Sequence, residues 1–179
     1  MDNEKQGTVS EHILLPISKF TNIPALLDMA ILIKETKSES PISILTVVPN
    51  NEEAEMNIVK AKNELSNFIV QASSAEVKVD VITTIDHNIA GGIARCSREI
   101  GANLIVLGWP QKSTGVIDKL LETNMTRIIR NIEKNIFVCQ LEKPTVDIHS
   151  IFLMTPPLAE LEAGFERWVL KLFKLAREL

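Results

Sequence analysis

Cysteine and histidine are scarce in this chain of 179 residues. Cys96 and Cys139 are too few and too far apart to suggest a disulfide framework, and we expect them to be buried free thiols. His12, His87 and His149 are widely separated, and none has a second histidine or a cysteine at the spacing of a metal-binding pair. The sequence therefore predicts no metal site.

Long apolar runs and clusters of basic charge are also missing. No stretch approaches the roughly 18 to 20 apolar residues that cross a bilayer, and the first ten residues are polar, unlike a signal peptide. The 19 basic residues are scattered and outnumbered by 23 acidic ones, so no basic stripe is available to bind nucleic acid. We expect a soluble, cytoplasmic segment that neither inserts into a membrane nor binds nucleic acid.

What the chain does have is an alternation of short β-branched runs with longer helical patterns, which is typical of parallel strands joined by crossover helices. Apolar residues make up 45% of the sequence, enough for one domain with a substantial core. The pattern predicts an α/β fold with three layers, in which helices cover both faces of an open, parallel, five-stranded sheet. The predicted strands are Ile13–Pro16, Ile42–Val48, Val77–Thr84, Leu104–Leu107 and Ile136–Cys139.

Four helices are predicted between these strands. The first begins near Pro24, the second carries an apolar face from Ile58 to Ala72, the third runs from Ile89 to Ile100, and the fourth from Ile117 to Ile132. Asp86 or Asn88 is placed to cap the third helix, and Gly101 to end it.

The last part of the chain repeats the opening pattern. Residues 142–150 have the composition of a linker, Ile151–Met154 resembles another first strand, and a helix follows. Its predicted apolar seam consists of Leu158, Leu161, Phe165, Trp168, Leu172, Leu175 and Leu179. A lone strand and helix cannot bury that seam, so it must pack on this domain, on a second copy or on other sequence. We interpret residues 151–179 as the start of a second, truncated unit.

The order of elements over residues 11–141, with a loop of small residues after the fourth strand, resembles the universal stress protein fold. Several segments are similar to the cytoplasmic tail domains of bacterial cation:proton (Na⁺/H⁺) antiporters, namely residues 13–18 (ILLPIS), 26–30 (LLDMA), 86–93 (DHNIAGGI), 107–109 (LGW) and 156–165 (PPLAELEAGF). In those tails the last segment opens a second stress-protein unit, which is what the resemblance implies for residues 151–179.

Ligands of open parallel sheets bind at the carboxyl ends of the strands where strand order reverses, here expected between strands one and four. The resemblance implies that a nucleotide-binding member carries an aspartate after strand one and a Gly-x-x-Gly loop after strand four. A Gly-Ser or Gly-Thr pair follows that loop, and the glycines let backbone amides approach phosphates. Ser18 stands in the aspartate's place, Gly108 is present, and Gln111 replaces the second glycine.

Two registers are open for the end of this loop. One replaces the terminal Gly-Ser with Glu122 and Thr123, and the other keeps Gly115 but supplies Val116 where a hydroxyl is needed. Trp109 either stacks on a base or covers the edge of the core. The sequence favours a vestigial crevice, with ATP or another adenine nucleotide as the alternative cofactor. The candidate ligand-binding residues are Ile17, Ser18, Val47, Gly108, Trp109, Gly115 and Thr123.

No catalytic constellation is predicted. Asp86 and His87 come closest to an acid and base pair, but neighbours in a capping loop rarely point at one atom. The resemblance implies a non-catalytic regulatory or assembly domain whose partner is the transmembrane domain of an antiporter. The apolar fifth strand, expected at a sheet edge, predicts a homodimer. The alternative is a free-standing stress protein that binds an adenine nucleotide as a dimer.

Overall fold

The computed structural model describes residues 10–17, 22–73, 77–109 and 125–179, with only the backbone of residues 67 and 70–73. The five predicted strands of the sheet and the helices predicted between them are confirmed within these ranges, with ends that shift by at most about two residues, whereas the strand predicted at Ile151–Met154 does not form. In chain order they are β1 (Ile13–Ile17), α1 (Ile23–Ile33), β2 (Ile42–Pro49), α2 (Ala54–Ser73), β3 (Val79–Asp86), α3 (Ile89–Glu99), β4 (Leu104–Gly108), the helical residues 125–131 (α4), β5 (Asn135–Cys139) and α5 (Phe165–Glu178).

All five strands are parallel and lie in the order β3-β2-β1-β4-β5. The central strand β1 is buried on both faces, which explains why it reads as a continuous apolar run. Ile13 and Leu15 point to one face and Leu14 to the other, as the alternation of a strand requires. Strand order reverses between β1 and β4, as the sequence predicts.

Helices cover both faces of the sheet, so the predicted three layers are confirmed. The first core cluster joins Leu27 of α1 and Leu65 of α2 to one face, and the second joins Ile93 of α3 and Ile128 of α4 to the other. The predicted apolar face of α2 lies on the sheet, with Leu65 buried and Ile58, Ala61 and Phe68 half-buried. None of the helices in the described ranges combines the length and apolar character needed to cross a bilayer.

The third helix begins and ends where its capping residues predict. The side chain of Asn88 accepts a hydrogen bond from the amide of Gly91 at 2.6 Å, so Asn88 is the cap, and Asp86 Oδ1 accepts from the amide of Asn88 at 3.2 Å. Gly101 follows the helix with a φ of 66°, in the left-handed region that favours glycine.

His12 joins three elements at the amino edge of the sheet. Its Nδ1 lies 3.0 Å from the carbonyl oxygen of Ile100, and its Nε2 lies 2.8 Å from Ser43 Oγ. Because a carbonyl oxygen can only accept, Nδ1 carries a hydrogen, and in the neutral ring Nε2 accepts from the Ser43 hydroxyl. His12 therefore has a structural role in holding β1 to β2 and to the turn after α3.

The C-terminal extension differs in part from the prediction. Residues 151–156 form no strand and are exposed, because no strand in the described part of the chain lies beside them to pair with. Leu158 and Leu161 lie before the helix and are exposed, so they do not belong to the apolar seam. The seam is confined to residues of α5, which begins at Phe165. Of the three predicted packing partners, the structure shows this domain, since α5 packs on α1 and Leu175 joins the first core cluster.

Candidate functional site

The crevice lies where β1 and β4 reach the carboxyl edge of the sheet. The two strands pair at Ile13 with Leu104 and at Leu14 with Ile105, and the recorded pairing ends there, three residues before the end of β1. The carboxyl-terminal parts of the two strands are therefore free of pairing with each other. This opening is where a ligand binds in a sheet whose strand order reverses.

Three candidate residues meet at this opening. Ile17 ends β1 and Gly108 ends β4, and both are half-buried. Trp109 follows, and its backbone amide donates to the carbonyl oxygen of Cys139 at 2.7 Å, which fixes the start of the next loop against the end of β5. With 37% of its surface exposed, Trp109 belongs to neither core cluster. Its ring is available to stack on a planar ligand.

Val47 supports the neighbouring helix. It is half-buried in β2 and packs against the second core cluster. A Cβ atom placed on Gly92 would lie 2.7 Å from Val47 Cγ1, closer than real carbon atoms approach. Glycine at position 92 thus lets α3 approach β2, and the side chain of Val47 lies against this helix.

Asp86 is committed to the turn before α3. Its carboxylate accepts hydrogen bonds from the amide of Asn88 and from Arg95, whose Nη2 lies 3.1 Å from Oδ2. These contacts, led by the Asn88 amide, hold the pKa of Asp86 below its usual value. Arg95 also donates to Thr84 Oγ1 and to the carbonyl oxygen of Ile85. A carboxylate held in this way braces a turn, and the sequence analysis did not identify Arg95 as its partner.

A cavity of about 320 Å³ opens beside Ile17 on the face covered by α1 and α2. Leu65 lies on its apolar wall, while Thr46, Asn57 and Lys60 supply polar groups. Of these residues, only Ile17 was predicted as a ligand-binding residue. Thr46 could have been found from the alternation of β2, because a residue next to Val47 points to the opposite face of the sheet.

The remaining candidates, Ser18, Gly115 and Thr123, lie outside the described residues, as does Gln111. Their predicted roles stay predictions. Within the described ranges, no three histidine, cysteine, aspartate or glutamate side chains are grouped so that they could hold a metal ion.

Comparison with solved structures defines the class of fold. The universal stress protein UspA from Lactobacillus plantarum superposes with a TM-score of 0.59 at 14% identity, over 73% of this chain and 98% of that one. A universal stress protein from Archaeoglobus fulgidus, solved in complex with dAMP, superposes with a TM-score of 0.52 at 13% identity, over 72% of this chain and 96% of that one. The chain has the universal stress protein fold, and that prediction is confirmed.

Comparison of sequences finds similarity to part of a longer protein. The Na⁺/H⁺ antiporter NhaS5 of Synechocystis sp. (strain ATCC 27184 / PCC 6803 / Kazusa) is 26% identical in an alignment of 157 residues, which covers 83% of this chain. The chain spans only 22% of that antiporter. No family model matches the sequence.

Proposed function

We propose that this chain is a non-catalytic regulatory or assembly domain of a membrane cation:proton antiporter. The observation that carries the proposal is the extent of the antiporter match, which takes in 83% of this chain but 22% of the antiporter. A match of that extent supports the proposal that the chain is a domain-sized part of a larger transporter. The transmembrane domain of the antiporter is the proposed partner.

The architecture supports a position beside the membrane. The sheet is open, and in the described part of the chain its outer strands β3 and β5 each have one side without a neighbouring strand. Open sheet edges are not tolerated in hydrocarbon, because unpaired backbone groups find no hydrogen-bond partner there. The resemblance to the cytoplasmic tails of antiporters supports the cytoplasmic face of the membrane as that position.

The described part of the crevice supports a role other than catalysis. Ile17, Gly108 and Trp109 line the opening with apolar or backbone groups, and the carboxylate of Asp86 is occupied by Asn88 and Arg95. A regulatory domain acts by binding differently to two states of the transporter, so that its presence shifts their populations. A ligand in the crevice would act by changing that difference.

Ion transport tests the proposal. The coding sequence that adjoins the gene segment should specify about ten or more apolar spans. In everted vesicles, the complete antiporter and a version that lacks this domain should differ in apparent Na⁺ affinity or in maximal rate at equal abundance. A version with Ile13→Asp, which places a charge in the fully buried centre of the sheet, keeps the chain length and should behave like the deletion. Identical transport by all three would overturn a regulatory role.

A second candidate function is binding of an adenine nucleotide by a free-standing stress protein. The exposed ring of Trp109 at the crevice favours it, as does the shared fold of the Archaeoglobus fulgidus protein solved with dAMP. Thermal unfolding with ATP, AMP and dAMP tests it, because a ligand at one hundred times its Kd adds about 2.7 kcal/mol of stability. Trp109→Ala should abolish the shift, whereas Trp168→Ala, far along the chain in α5, should preserve it. Absence of any shift would reject this function.

We further propose that the domain forms a homodimer through β5. This strand lies at the edge of the described sheet, and Val138, the fourth of its five residues, is 43% exposed. Apolar edge strands pair readily with a second strand, and a charge at the edge prevents such pairing. Val138→Lys should therefore weaken self-association in sedimentation velocity, and a wild-type chain that is monomeric at 1 mM would contradict the proposal.

A further inference from the structure

Two side chains of helix α5, Lys171 and Leu175, are buried against the domain. Lys171 is 8% exposed, and its Nζ contacts the carboxylate of Glu11, lies 2.7 Å from Glu35 Oε1 and lies 3.0 Å from the carbonyl oxygen of Ile33. One turn later, Leu175 enters the first core cluster. We call the surface that receives these two side chains the α5 seat, and its polar part consists of Glu11, Ile33 and Glu35.

The α5 seat belongs to a fold that is complete without α5. The five strands and the helices between them end at Cys139. The Lactobacillus plantarum protein is covered over 98% of its length by only 73% of this chain, so about a quarter of this chain has no counterpart in that structure. Helix α5 is therefore an addition to a finished sheet, and its removal from the seat leaves the strand order intact.

A free tether leads to α5. Thr145 is buried and Ala159 is buried, but every residue from 149 to 158 is exposed. Ten residues reach up to about 35 Å when extended. That length allows α5 to reach a seat on an adjacent molecule as well as its own.

The tether also exposes apolar side chains that a second copy could cover. Phe152 is 90% exposed and Met154 is 83% exposed, and residues 151–154 have no strand beside them in the described part of the chain. They therefore remain unpaired while α5 occupies the seat of its own molecule.

We propose that the α5 seat accepts α5 from a second copy of this chain, so that two molecules exchange these helices and form a swapped dimer. The contacts of Lys171 and Leu175 are the same whether the helix comes from the same molecule or from its partner. The balance between monomer and dimer is therefore set by the tether. In the dimer the two tethers run side by side, and residues 151–154 of each cover those of the other.

An exchange of charges tests this proposal in the full chain. In Lys171→Glu the helix is repelled by its own seat, which carries Glu11 and Glu35. In the double variant Glu11→Lys/Glu35→Lys the seat repels its own Lys171. Within each variant the charges of α5 and of the α5 seat repel each other. Opposite charges meet only when α5 of one variant binds the α5 seat of the other. Both chains also carry Val138→Lys, so that pairing through β5 does not contribute.

Sedimentation velocity at 10 µM to 1 mM gives the outcome. Each variant alone should be a monomer with native far-ultraviolet circular dichroism, and an equimolar mixture should give a species of twice the monomer mass. If Glu11→Lys prevents folding, Glu35→Lys alone replaces the double variant, because the Glu35 side chain is 54% exposed. A mixture of two folded chains that stays monomeric would overturn the proposal.

The tether gives a second and independent test. Phe152→Ser/Met154→Ser leaves the α5 seat unchanged and removes the apolar surface that the swapped dimer buries. In the charge-exchanged mixture these substitutions should weaken dimerisation by at least about tenfold. The matched control Val146→Ser, at another exposed apolar residue outside the tether, should leave the dimerisation constant unchanged. Equal dimerisation with and without the two tether substitutions would overturn the role of the tether.

Discussion

The side chains of Lys171 and Glu35 meet across 136 residues of sequence, with Nζ 2.7 Å from Oε1. This contact joins α5 to the residues that follow α1 and shares the ammonium group with Glu11. The hydrogen bond from Lys171 is the main cause that holds the pKa of Glu35 below its ordinary value of 4.5, and it outweighs the effect of burial. The attachment of the C-terminal helix is therefore linked to pH.

The sign of that linkage follows from the lowered pKa. The pKa of Glu35 is lower in the folded state than in the unfolded state. The ionised carboxylate of Glu35 therefore stabilises the folded state fully above pH 4.5, and this contribution is lost as the pH falls through the folded pKa. We expect the ¹³C carboxyl resonance of Glu35 to titrate below pH 4.5 in the wild type. In Lys171→Met the midpoint should rise, whereas Lys60→Met, which removes an exposed lysine paired with Glu64, should leave it unchanged. An unaltered Glu35 titration in Lys171→Met would contradict the assignment of this ion pair.

Gly164 sets the direction in which the chain enters α5. Its φ is 89°, and a Cβ placed there would lie 3.1 Å from Asn135 Oδ1. We expect Gly164→Ala to lower the free energy of unfolding by about 1 to 2 kcal/mol from left-handed strain, plus a contribution from the crowded amide. Gly101→Ala is the matched control, because its φ is 66° and nothing lies within 4 Å. Chemical denaturation measures both.

A third variant separates strain from crowding. In the Asn135→Ala background, Gly164→Ala should cost no more than Gly101→Ala, since the amide oxygen is gone. If the cost of Gly164→Ala is the same in both backgrounds, the contact with Asn135 does not limit this turn.

The strands and helices of the sheet could be predicted because the residues that define each element lie within that element or next to it in sequence. A two-sided buried strand such as Ile13–Ile17 is a continuous apolar run, and Asn88 and Gly101 mark the ends of α3 by their own chemistry. Residues 151–154 show the limit of such signals. The same apolar run that makes a strand beside a neighbour stays irregular without one, and no local pattern shows whether a neighbour exists.

The attachment of α5 could not be predicted for a related reason. A lysine between apolar residues of a helix is usually exposed, and the acidic partners of Lys171 lie 160 and 136 residues earlier, so nothing near it in sequence indicates an ion pair. At the crevice, the topology rule located Ile17 and Gly108 correctly at the ends of β1 and β4. Arg95 was missed because its contacts with Asp86 depend on how α3 packs against β3.

Gly92 tests how tightly α3 packs beside the crevice. Because a Cβ at this position would lie 2.7 Å from Val47 Cγ1, Gly92→Ala should force the helix away from β2 and cost about 1 to 3 kcal/mol of stability. Val47→Ala removes the obstructing methyl groups, so the cost of Gly92→Ala should largely disappear in that background. Equilibrium unfolding of the four chains gives the coupling free energy. Strictly additive costs would show that Val47 and Gly92 do not share this contact.

Cys139 reports on the environment at the end of β5. Burial raises the pKa of this thiol to about 11, and the side chain packs against the first core cluster although it is not fully enclosed. The thiolate is the nucleophile, so a pKa two units above the ordinary value of 9.0 makes the reaction with iodoacetamide at pH 8 about one hundredfold slower than that of a free thiol. Cys96→Ser leaves Cys139 as the sole thiol, and the rate of its reaction with iodoacetamide should rise about tenfold per pH unit up to pH 10 without reaching a plateau.

A plateau near pH 9 would mean that this end of β5 is open to water in the monomer. In that case the carbonyl oxygen of Cys139, which accepts the Trp109 amide, would also be less firmly held than its 2.7 Å contact indicates.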